Sequence, residues 1–390
     1  MPLLSASVSH LHVAVDCRVV SAHFPGIGRA TLETVRALAA HEDGPTLSLL
    51  VDARQPPPAL AALAGPRVQL VPVTTKLRAP ADQWALPLLL RQLRPDIYHA
   101  SYYAIPAALP GRVVVTIYDL IPRLFPAYWP NPVMRHTINA WTAHAARRAD
   151  RVVACSESTA RDIARLLPGA ARKVRVVRLG VASRAASVRE ATGPADASGA
   201  PYLLYVGSNK PHKNLPRLVA AFAHAVRETD IPGNLVIAGA WDERYPEAVD
   251  AVRRHGLDAR VRFEHRPSDE RLDRLYADAR GFVFPSLYEG FGLPVLEAMA
   301  ARLPVATSAR GSLGEVAGDA ALLFDPTDED AIGTALRQLL RDDALCATLA
   351  AAGRERARLF PWSRTAAETR AVYADLTRHP TLPGRPTVRG

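Results

Sequence analysis

The sequence predicts an α/β protein made of two Rossmann-like domains with parallel sheets. Three observations carry this. Short apolar runs alternate with amphipathic segments from end to end, the pattern of strands joined by crossover helices. The chain has 390 residues, too many for one ordinary core. Residues 182–199 (ASRAASVREATGPADASG) are small, polar and aperiodic, as an interdomain linker is. In the first half, Leu11–Val15 reads as the opening strand, followed by a loop through Gly28 and a helix over roughly Ala30–Ala40. Further strands are expected at Leu47–Val51, Val68–Val71, Ile97–His99 and Val113–Ile117. A long helix covers about Pro132–Arg148, ahead of strand Arg151–Ala154, helix Ser158–Leu167 and strand Val174–Val177. Beyond the linker, strand Tyr202–Val206 restarts the alternation, which recurs at least four more times. Pro361–Leu376 reads as a final helix and residues 377–390 as a loose tail. The expected domains are therefore 1–181 and 200–360, with a crevice between the carboxyl ends of their sheets, where such sheets bind ligands.

Residues 284–299 (FPSLYEGFGLPVLEAM) set Glu289 and Glu297 eight positions apart across a glycine-broken turn. Gly281–Phe284 reads as a buried strand before the turn, and Pro294 suits the first position of a helix after it. On a single helix two acids at that spacing would diverge by about 80°. Split between loop and helix, they can face one crevice. Gly290 and Gly292 let the backbone come close to a ligand. Taken alone, the spacing better fits a surface loop whose acids favour a helix N-terminus.

The flanking residues decide between these readings. The segment resembles the E-x7-E signature of retaining glycosyltransferases of family 4, which use nucleotide-sugar donors. The resemblance continues through Val206–Leu215 (VGSNKPHKNL), Pro304–Ser308 (PVATS), Gly311–Val316 (GSLGEV), Gly318–Leu323 (GDAALL) and Asp325-Pro326. Near the start it takes in Gly26–Arg29 (GIGR). It spans most of the chain and is strongest over about residues 200–330. It implies a GT-B fold, with residues 1–181 on the acceptor side and 200–360 binding the donor. The last helix, 361–376, would cross back to the first domain. The wider run looks most similar to bacterial mannosyltransferases that build O-antigen or exopolysaccharide.

A nucleotide sugar presents a diphosphate, a ribose and a sugar, each needing its own partner. For the diphosphate, Gly311–Glu315 contains S-x-x-E, a capping-box pattern whose free N–H groups, at Ser312 and Leu313, would point at an anion. A capped helix with no ligand fits that local pattern equally well. The loop opened by Gly207 carries Lys210 and Lys213, two of only four lysines among 48 basic residues. A compact ammonium on a flexible stem suits phosphate. By resemblance Lys213, in the K-N-L pattern, is the diphosphate lysine. Ser208 stands where many relatives have Arg, so either Lys210 supplies a second charge or the site works with one. By resemblance Glu297 holds the ribose hydroxyls. Glu289 then contacts the sugar or steadies positive charge at its anomeric carbon, helped by the backbone of Gly290, Phe291 and Gly292. Diphosphate held this way leaves as a stabilised anion, so electrostatics would supply most of the catalysis. No D-x-D motif is evident, and the expectation is no metal and no cofactor. GDP-mannose is the expected co-substrate, with UDP- and deoxysugar nucleotides left open.

The acceptor side is written less plainly. Gly26 and Gly28 open a helix but do not complete G-x-G-x-x-G, since Thr31 takes the last position. His99 and Tyr118-Asp119 stand at strand ends. By resemblance Asp119 is a catalytic group contacting acceptor or sugar. Tyr118 stands where many relatives have His, and it donates a hydrogen bond without sharing charge at neutral pH. His99 fits a packed strand end as well as a functional role. Phe125, Tyr128, Trp129 and Trp141, with Arg135, Arg147 and Arg148, offer either an interfacial surface for a lipid-linked acceptor or the inner contacts of a long helix.

Composition narrows the class. At 48% hydrophobic and 22% charged residues, the chain reads as soluble and globular. No apolar run approaches the roughly 18 residues that span a bilayer, and the opening MPLLSASVSH lacks the positive start of a signal peptide. A cytoplasmic protein is expected. Cys17, Cys155 and Cys346 are odd in number and far apart, so buried free thiols are expected. The histidines show no metal-ligand spacing. The net charge of +10 is scattered and accompanies no nucleic-acid recognition motif, so no nucleic acid partner is expected. The candidate partner is an anionic membrane surface carrying the acceptor, met peripherally at its inner face. A nicotinamide-dependent dehydrogenase would need the complete glycine fingerprint, which fails at Thr31. A catalytically silent nucleotide-sugar-binding protein of the same fold stands as the rival from another class.

Overall fold

The computed structural model describes residues 8–21, 23–128, 131–182, 200–227 and 233–378. The linker from 183 onward, Trp129 and the tail beyond 378 lie outside the described residues. The chain divides into two compact units. The first comprises Met1–Arg123, Asn131–Gly180 and Trp362–Gly390, and the second Leu124–Pro130 and Val181–Pro361.

The first unit carries β1 (His12–Asp16), α1 (Pro25–Ala40), β2 (Thr46–Asp52), α2 (Pro58–Ala61), β3 (Val68–Val73), α3 (Asp82–Leu93), β4 (Ile97–Ala100) and β5 (Arg112–Ile117). Then follow α4 (Ile121–Leu124), α5 (Pro132–Arg148), β6 (Arg151–Ala154), α6 (Glu157–Leu166) and β7 (Val174–Val176). Its seven strands are all parallel, in the order β3-β2-β1-β4-β5-β6-β7. The second unit carries β8 (Tyr202–Val206), α7 (Leu215–Arg227), β9 (Asn234–Gly239), α8 (Glu247–His255), β10 (Val261–His265), α9 (Asp269–Asp278) and β11 (Gly281–Phe284). It continues with α10 (Leu293–Ala300), β12 (Val305–Ser308), α11 (Leu313–Ala317), β13 (Leu322–Phe324), α12 (Glu329–Arg341) and α13 (Asp343–Arg358). Its six-stranded parallel sheet runs β10-β9-β8-β11-β12-β13. In both sheets the strand order reverses beside the first strand, β1 against β4 and β8 against β11, the position at which such sheets bind ligands.

Local chemistry explains the ends of the helices. Asn131 accepts from the N–H groups of Val133 and Met134 and caps α5, with Pro132 preset for the first turn. Ser156 accepts from Thr159 N–H and starts α6. α1 begins at Pro25, five residues before the expected start, because a proline in the first turn suits a helix. Gly26 and Gly28 therefore lie within the first helical turn rather than in a loop. Gly28 packs so closely that a Cβ there would sit 2.7 Å from the Val19 carbonyl oxygen. Pro294 occupies the second position of α10, not the first, with Gly292 before the helix in the left-handed region at φ 104°. α3 was not expected from the pattern. Pro87 lies inside it, and apolar residues on both its faces hide the helical period.

The last helix, α14 (Trp362–Arg378), belongs to the first unit. Val372, Tyr373 and Leu376 join Val13, Val35, Leu38, Leu47 and Ile97 in one buried cluster. Asp375 accepts from Arg151 at 2.8 Å and Arg175 at 3.1 Å, and the Arg151 hydrogen bond leads in holding its carboxyl below the usual range. Thr365 donates to the Arg178 carbonyl, and Glu368 accepts from the Arg178 N–H. Cys17, Cys155 and Cys346 are buried free thiols, as expected. Replacing Tyr373 by Ala should cost about 3–5 kcal/mol of unfolding free energy, as loss of a buried aromatic does. Tyr373→Phe, which loses only a hydroxyl contact, should cost about 1 kcal/mol. Urea titration followed by fluorescence distinguishes the two, and an alanine variant as stable as the parent would remove α14 from this core.

Candidate functional site

In the second unit, the loops after β8 and β11 flank the point where strand order reverses, and each delivers one charged side chain. After β8, Gly207 opens a loop fastened by Asn209. The Asn209 amide donates to the carbonyls of Asp242 and Tyr245, both at 2.7 Å, and its oxygen accepts from the Asp242 N–H. Asn214 takes the left-handed conformation and donates to the carbonyls of Pro285 and Pro326. The Leu287 N–H donates to the His212 carbonyl at 2.8 Å. The turn carrying Lys213 is thus locked to the loop carrying Glu289.

Lys213 Nζ lies 2.6 Å from Glu289 Oε1 and 5.3 Å from the centre of the Phe284 ring. Phe284 stacks on Tyr205 with 5.5 Å between ring centres. Burial pushes the Tyr205 hydroxyl up, and the nearby Glu289 charge adds to it. Lys210, three residues before Lys213, is exposed. It adds to the effect of Arg244, whose hydrogen bond is the main cause holding the Asp242 carboxyl down. Glu297 sits on the fifth residue of α10 and is 5% exposed. Its Oε2 accepts from the Tyr276 hydroxyl of α9 at 3.0 Å.

The capping-box expectation for Ser312 does not hold. Ser312 has helical backbone angles and makes no cap bond. Its buried hydroxyl instead lies 2.9 Å from the Glu289 carbonyl oxygen and 2.8 Å from that of Phe291. Two carbonyls of the glycine-broken loop are better acceptors within reach than a backbone N–H is a donor. Leu313 is fully buried against Gly292 and fills the space a side chain there would need. Ser312 and Leu313 therefore support the loop at Glu289, Gly290, Phe291 and Gly292 from below. On its other flank, Phe291 packs edge-to-face on Phe360, and the Arg356 guanidinium lies over the Phe360 ring. Arg356 also donates to the carbonyls of Glu315 and Val316, which fixes the end of α11.

The first unit holds the remaining candidates. His99 is buried, with Nδ1 2.7 Å from the Tyr373 hydroxyl and Nε2 2.9 Å from the Thr116 hydroxyl. Burial drives its pKa down to about 4, so the ring is neutral and bridges β4, β5 and α14. The Tyr118 hydroxyl lies 3.4 Å from that of Thr31, and burial pushes it up. His99 and Tyr118 line a cavity of about 20 Å³ with Thr31, Thr34, Thr116 and Tyr373, space for one water. Asp119, half-buried, accepts from the Ile121 N–H. Beside them Arg18 bridges Asp16 and Asp82, each at 2.7 Å, and Tyr98 donates to Asp16. Among the described residues, no three of His, Cys, Asp and Glu are grouped as metal ligands, and no helix is long and apolar enough to cross a membrane.

The structure thus brings Lys213, Glu289, Ser312, Leu313 and the Gly290–Gly292 loop together, and Glu297 stands on α10, the helix into which that loop leads. Sequence reasoning missed Tyr276, Tyr205, Asn214 and Arg356, whose partners lie far along the chain and leave no local pattern. Chemically, the arrangement offers an ammonium and two acids beside a glycine-broken loop, a set suited to a ligand carrying both phosphate and hydroxyls.

Comparison with known proteins agrees. The family profile described as Glycosyl transferases group 1 matches residues 192–356, and that described as Glycosyltransferase Family 4 matches residues 25–184. The chain is 30% identical over 372 residues to the O-antigen chain mannosyltransferase B of Escherichia coli, covering 89% of this chain and 95% of that protein. Among solved structures, sucrose-phosphate synthase from Thermosynechococcus elongatus matches with a TM-score of 0.74 at 21% identity, over 94% of this chain and 99% of that one. The Anabaena protein HepE in complex with UDP and glucose matches with a TM-score of 0.71 at 18% identity, over 94% of this chain and 100% of that one. The two parallel-sheet units are those of a GT-B fold.

The buried neutral His99 makes stability depend on pH. The unfolded chain takes a proton at this ring below the ordinary value of 6.5, the folded chain only below about 4. The stabilisation is therefore complete above pH 6.5 and is lost as pH falls towards 4, by up to about 3 kcal/mol. Denaturant titrations across that range should show the loss, and His99→Gln should flatten it. An unchanged slope would mean the ring is not the titrating group.

Proposed function

This chain belongs to glycosyltransferase family 4, and from that premise we propose that it transfers mannose from GDP-mannose to a growing, lipid-linked glycan with retention of anomeric configuration. The single observation that carries this reading is the Lys213–Glu289 pair beside the strand-order reversal of the second unit. In this reading the donor diphosphate takes the place of Glu289 beside the Lys213 ammonium. Glu289 then turns to the sugar hydroxyls and to the positive charge that grows at the anomeric carbon. Glu297, steadied by Tyr276, accepts from the ribose hydroxyls. The bond between the anomeric carbon and the phosphate oxygen breaks with its electron pair leaving on the diphosphate. Lys213 stabilises that anion, with Lys210 as the second cation, so the reading calls for no metal. The acceptor hydroxyl oxygen forms the new bond to the anomeric carbon on the face the diphosphate leaves, its proton passes to the departing phosphate oxygen, and Asp119 is the group assigned to the acceptor.

The name of the Escherichia coli relative supports mannose and O-antigen. A UDP-sugar is the alternative donor, favoured by the fold neighbour that holds UDP and glucose. The protein works in the cytoplasm, in peripheral contact with the anionic inner face of the membrane that carries its acceptor. A catalytically silent member of the fold would bind donor yet release no nucleoside diphosphate when acceptor is supplied.

A thermal-shift panel of GDP, UDP, dTDP and ADP tests the donor, because a ligand that binds the native state raises its melting temperature. GDP should give the largest shift, and a shift with UDP but none with GDP would overturn the mannose assignment. Lys213→Ala and Glu297→Ala should each weaken nucleoside diphosphate binding by about 1–3 kcal/mol. Glu289→Gln should behave oppositely. It frees Lys213 and leaves diphosphate affinity unchanged or higher, while transfer falls on the order of 100-fold. Calorimetry beside a turnover assay separates these outcomes, and weaker GDP binding in Glu289→Gln would contradict the exchange of partners at Lys213.

A further inference from the structure

Among the described residues, four of the six exposed large apolar side chains lie on two helices of the first unit. Trp84 and Leu88 on α3 are 71% and 55% exposed, and Val133 and Met134 on α5 are 73% and 52% exposed. α3 already packs Leu86 and Leu90 inward. Trp84 and Leu88, one turn apart on its outer side, form a second apolar stripe that the fold does not use. A surface helix of a globular protein normally turns polar residues to water there.

The two helices share one layer. Right-handed crossovers in the sheet order β3-β2-β1-β4-β5-β6-β7 place α3 and α5 on the same face, opposite α1. The segment between β4 and β5 joins them. Its Ala107 N–H donates to Gln83 of α3 at 2.8 Å, and its Pro106 carbonyl accepts from His144 of α5 at 3.2 Å. The charge of the layer is lopsided. From Asp82 to Asp150 the chain holds seven arginines and four acids, of which Asp82 is buried against Arg18 and Asp150 pairs with Arg148. α5 itself holds no acid. Lys76, Arg78, Arg91 and Arg94 lie exposed on either side of Trp84 and Leu88 in the chain.

We propose that this layer docks on an anionic lipid surface, with Trp84 and Leu88 entering the headgroup region and the arginines around them meeting lipid phosphates. An apolar stripe bordered by exposed basic residues, with its own helix's acid buried, is the pattern of a helix lying in a membrane interface, where buried apolar area and attraction to anionic lipid add together. The inference rests on the reading that the acceptor is lipid-linked, and it names the part of the chain that meets the membrane.

The test is flotation of the whole protein with vesicles of phosphatidylglycerol and phosphatidylethanolamine, beside vesicles of phosphatidylcholine alone. The parent should bind the anionic vesicles and release them as salt is raised, with weak binding to the neutral ones. Trp84→Ser/Leu88→Ser should lose about tenfold or more in vesicle affinity and melt at the parent temperature, since both side chains face water in the free protein. Nucleoside diphosphate binding, and transfer to a detergent-dispersed acceptor, should be unchanged in that variant, while transfer to acceptor embedded in anionic vesicles falls. Equal vesicle binding by parent and variant, or none by the parent, overturns the proposal. A parent that ignores vesicles but forms a dimer dissociated by the same substitutions would assign the face to a second copy of this chain. Absence of transfer by the parent in every format would instead count against the glycosyl-transfer reading, leaving the vesicle result standing.

Discussion

The site of the second unit depends on one contact, the ion pair between Lys213 and Glu289. These residues lie 76 positions apart, and the fold joins them because β8 and β11 are neighbours at the point where the sheet reverses its order. The chain leaves β8 towards β9 and β11 towards β12, on opposite sides of the reversal, and hydrogen bonds from Leu287 to His212 and from Asn214 to Pro285 hold the two loops together. Placing opposite charges there keeps either from standing alone in a half-buried setting, where an unmatched charge costs much more than at the surface. The same pair makes the site exchangeable, since an incoming anion can take one partner while an incoming polyol takes the other.

Around that pair the supports are buried and mostly apolar or neutral. Ser312 and Leu313 hold the glycine-broken loop from one side, and Phe360 with Arg356 holds it from another. Tyr276 sets the carboxylate of Glu297 from α9. Ser312, Leu313, Tyr276 and Phe360 are buried, and Arg356 is held by the Glu315 and Val316 carbonyls, which is how a charged group keeps its aim without ligand. The first unit contrasts with this. There the strand-end polar groups bond one another, as His99 does with Thr116 and Tyr373, and Arg18 with Asp16 and Asp82.

Much of this was legible in the residues. The alternation of apolar runs located the strands of the first unit, and β8 and β11 of the second, to within a residue or two, because parallel strands buried on both faces stand out as continuous apolar stretches. The pairing of a loop acid with a helix acid followed from Glu289, Glu297 and the glycines between them. α3 escaped notice for a physical reason, since Trp84 and Leu88 make its outer face as apolar as its inner one and Pro87 suggests a break. Ser312 matched a local capping pattern, yet its hydroxyl answers to carbonyls 21 and 23 residues away. Tyr276 and Arg356 act through partners that only the folded chain supplies, so no window of sequence contains both halves of either contact.

The return of α14 to the first unit bears on the order in which the protein is made. A ribosome delivers residues 1–180 well before α14, so the cluster that buries Leu38, Leu47 and Ile97 lacks Val372, Tyr373 and Leu376 until those residues have emerged. The first unit must therefore wait, partly open, while nearly two hundred further residues emerge. Nascent multidomain chains ordinarily settle from the amino end onward. Here the amino-terminal half is the last to close, and it is the half that a chaperone would need to shelter.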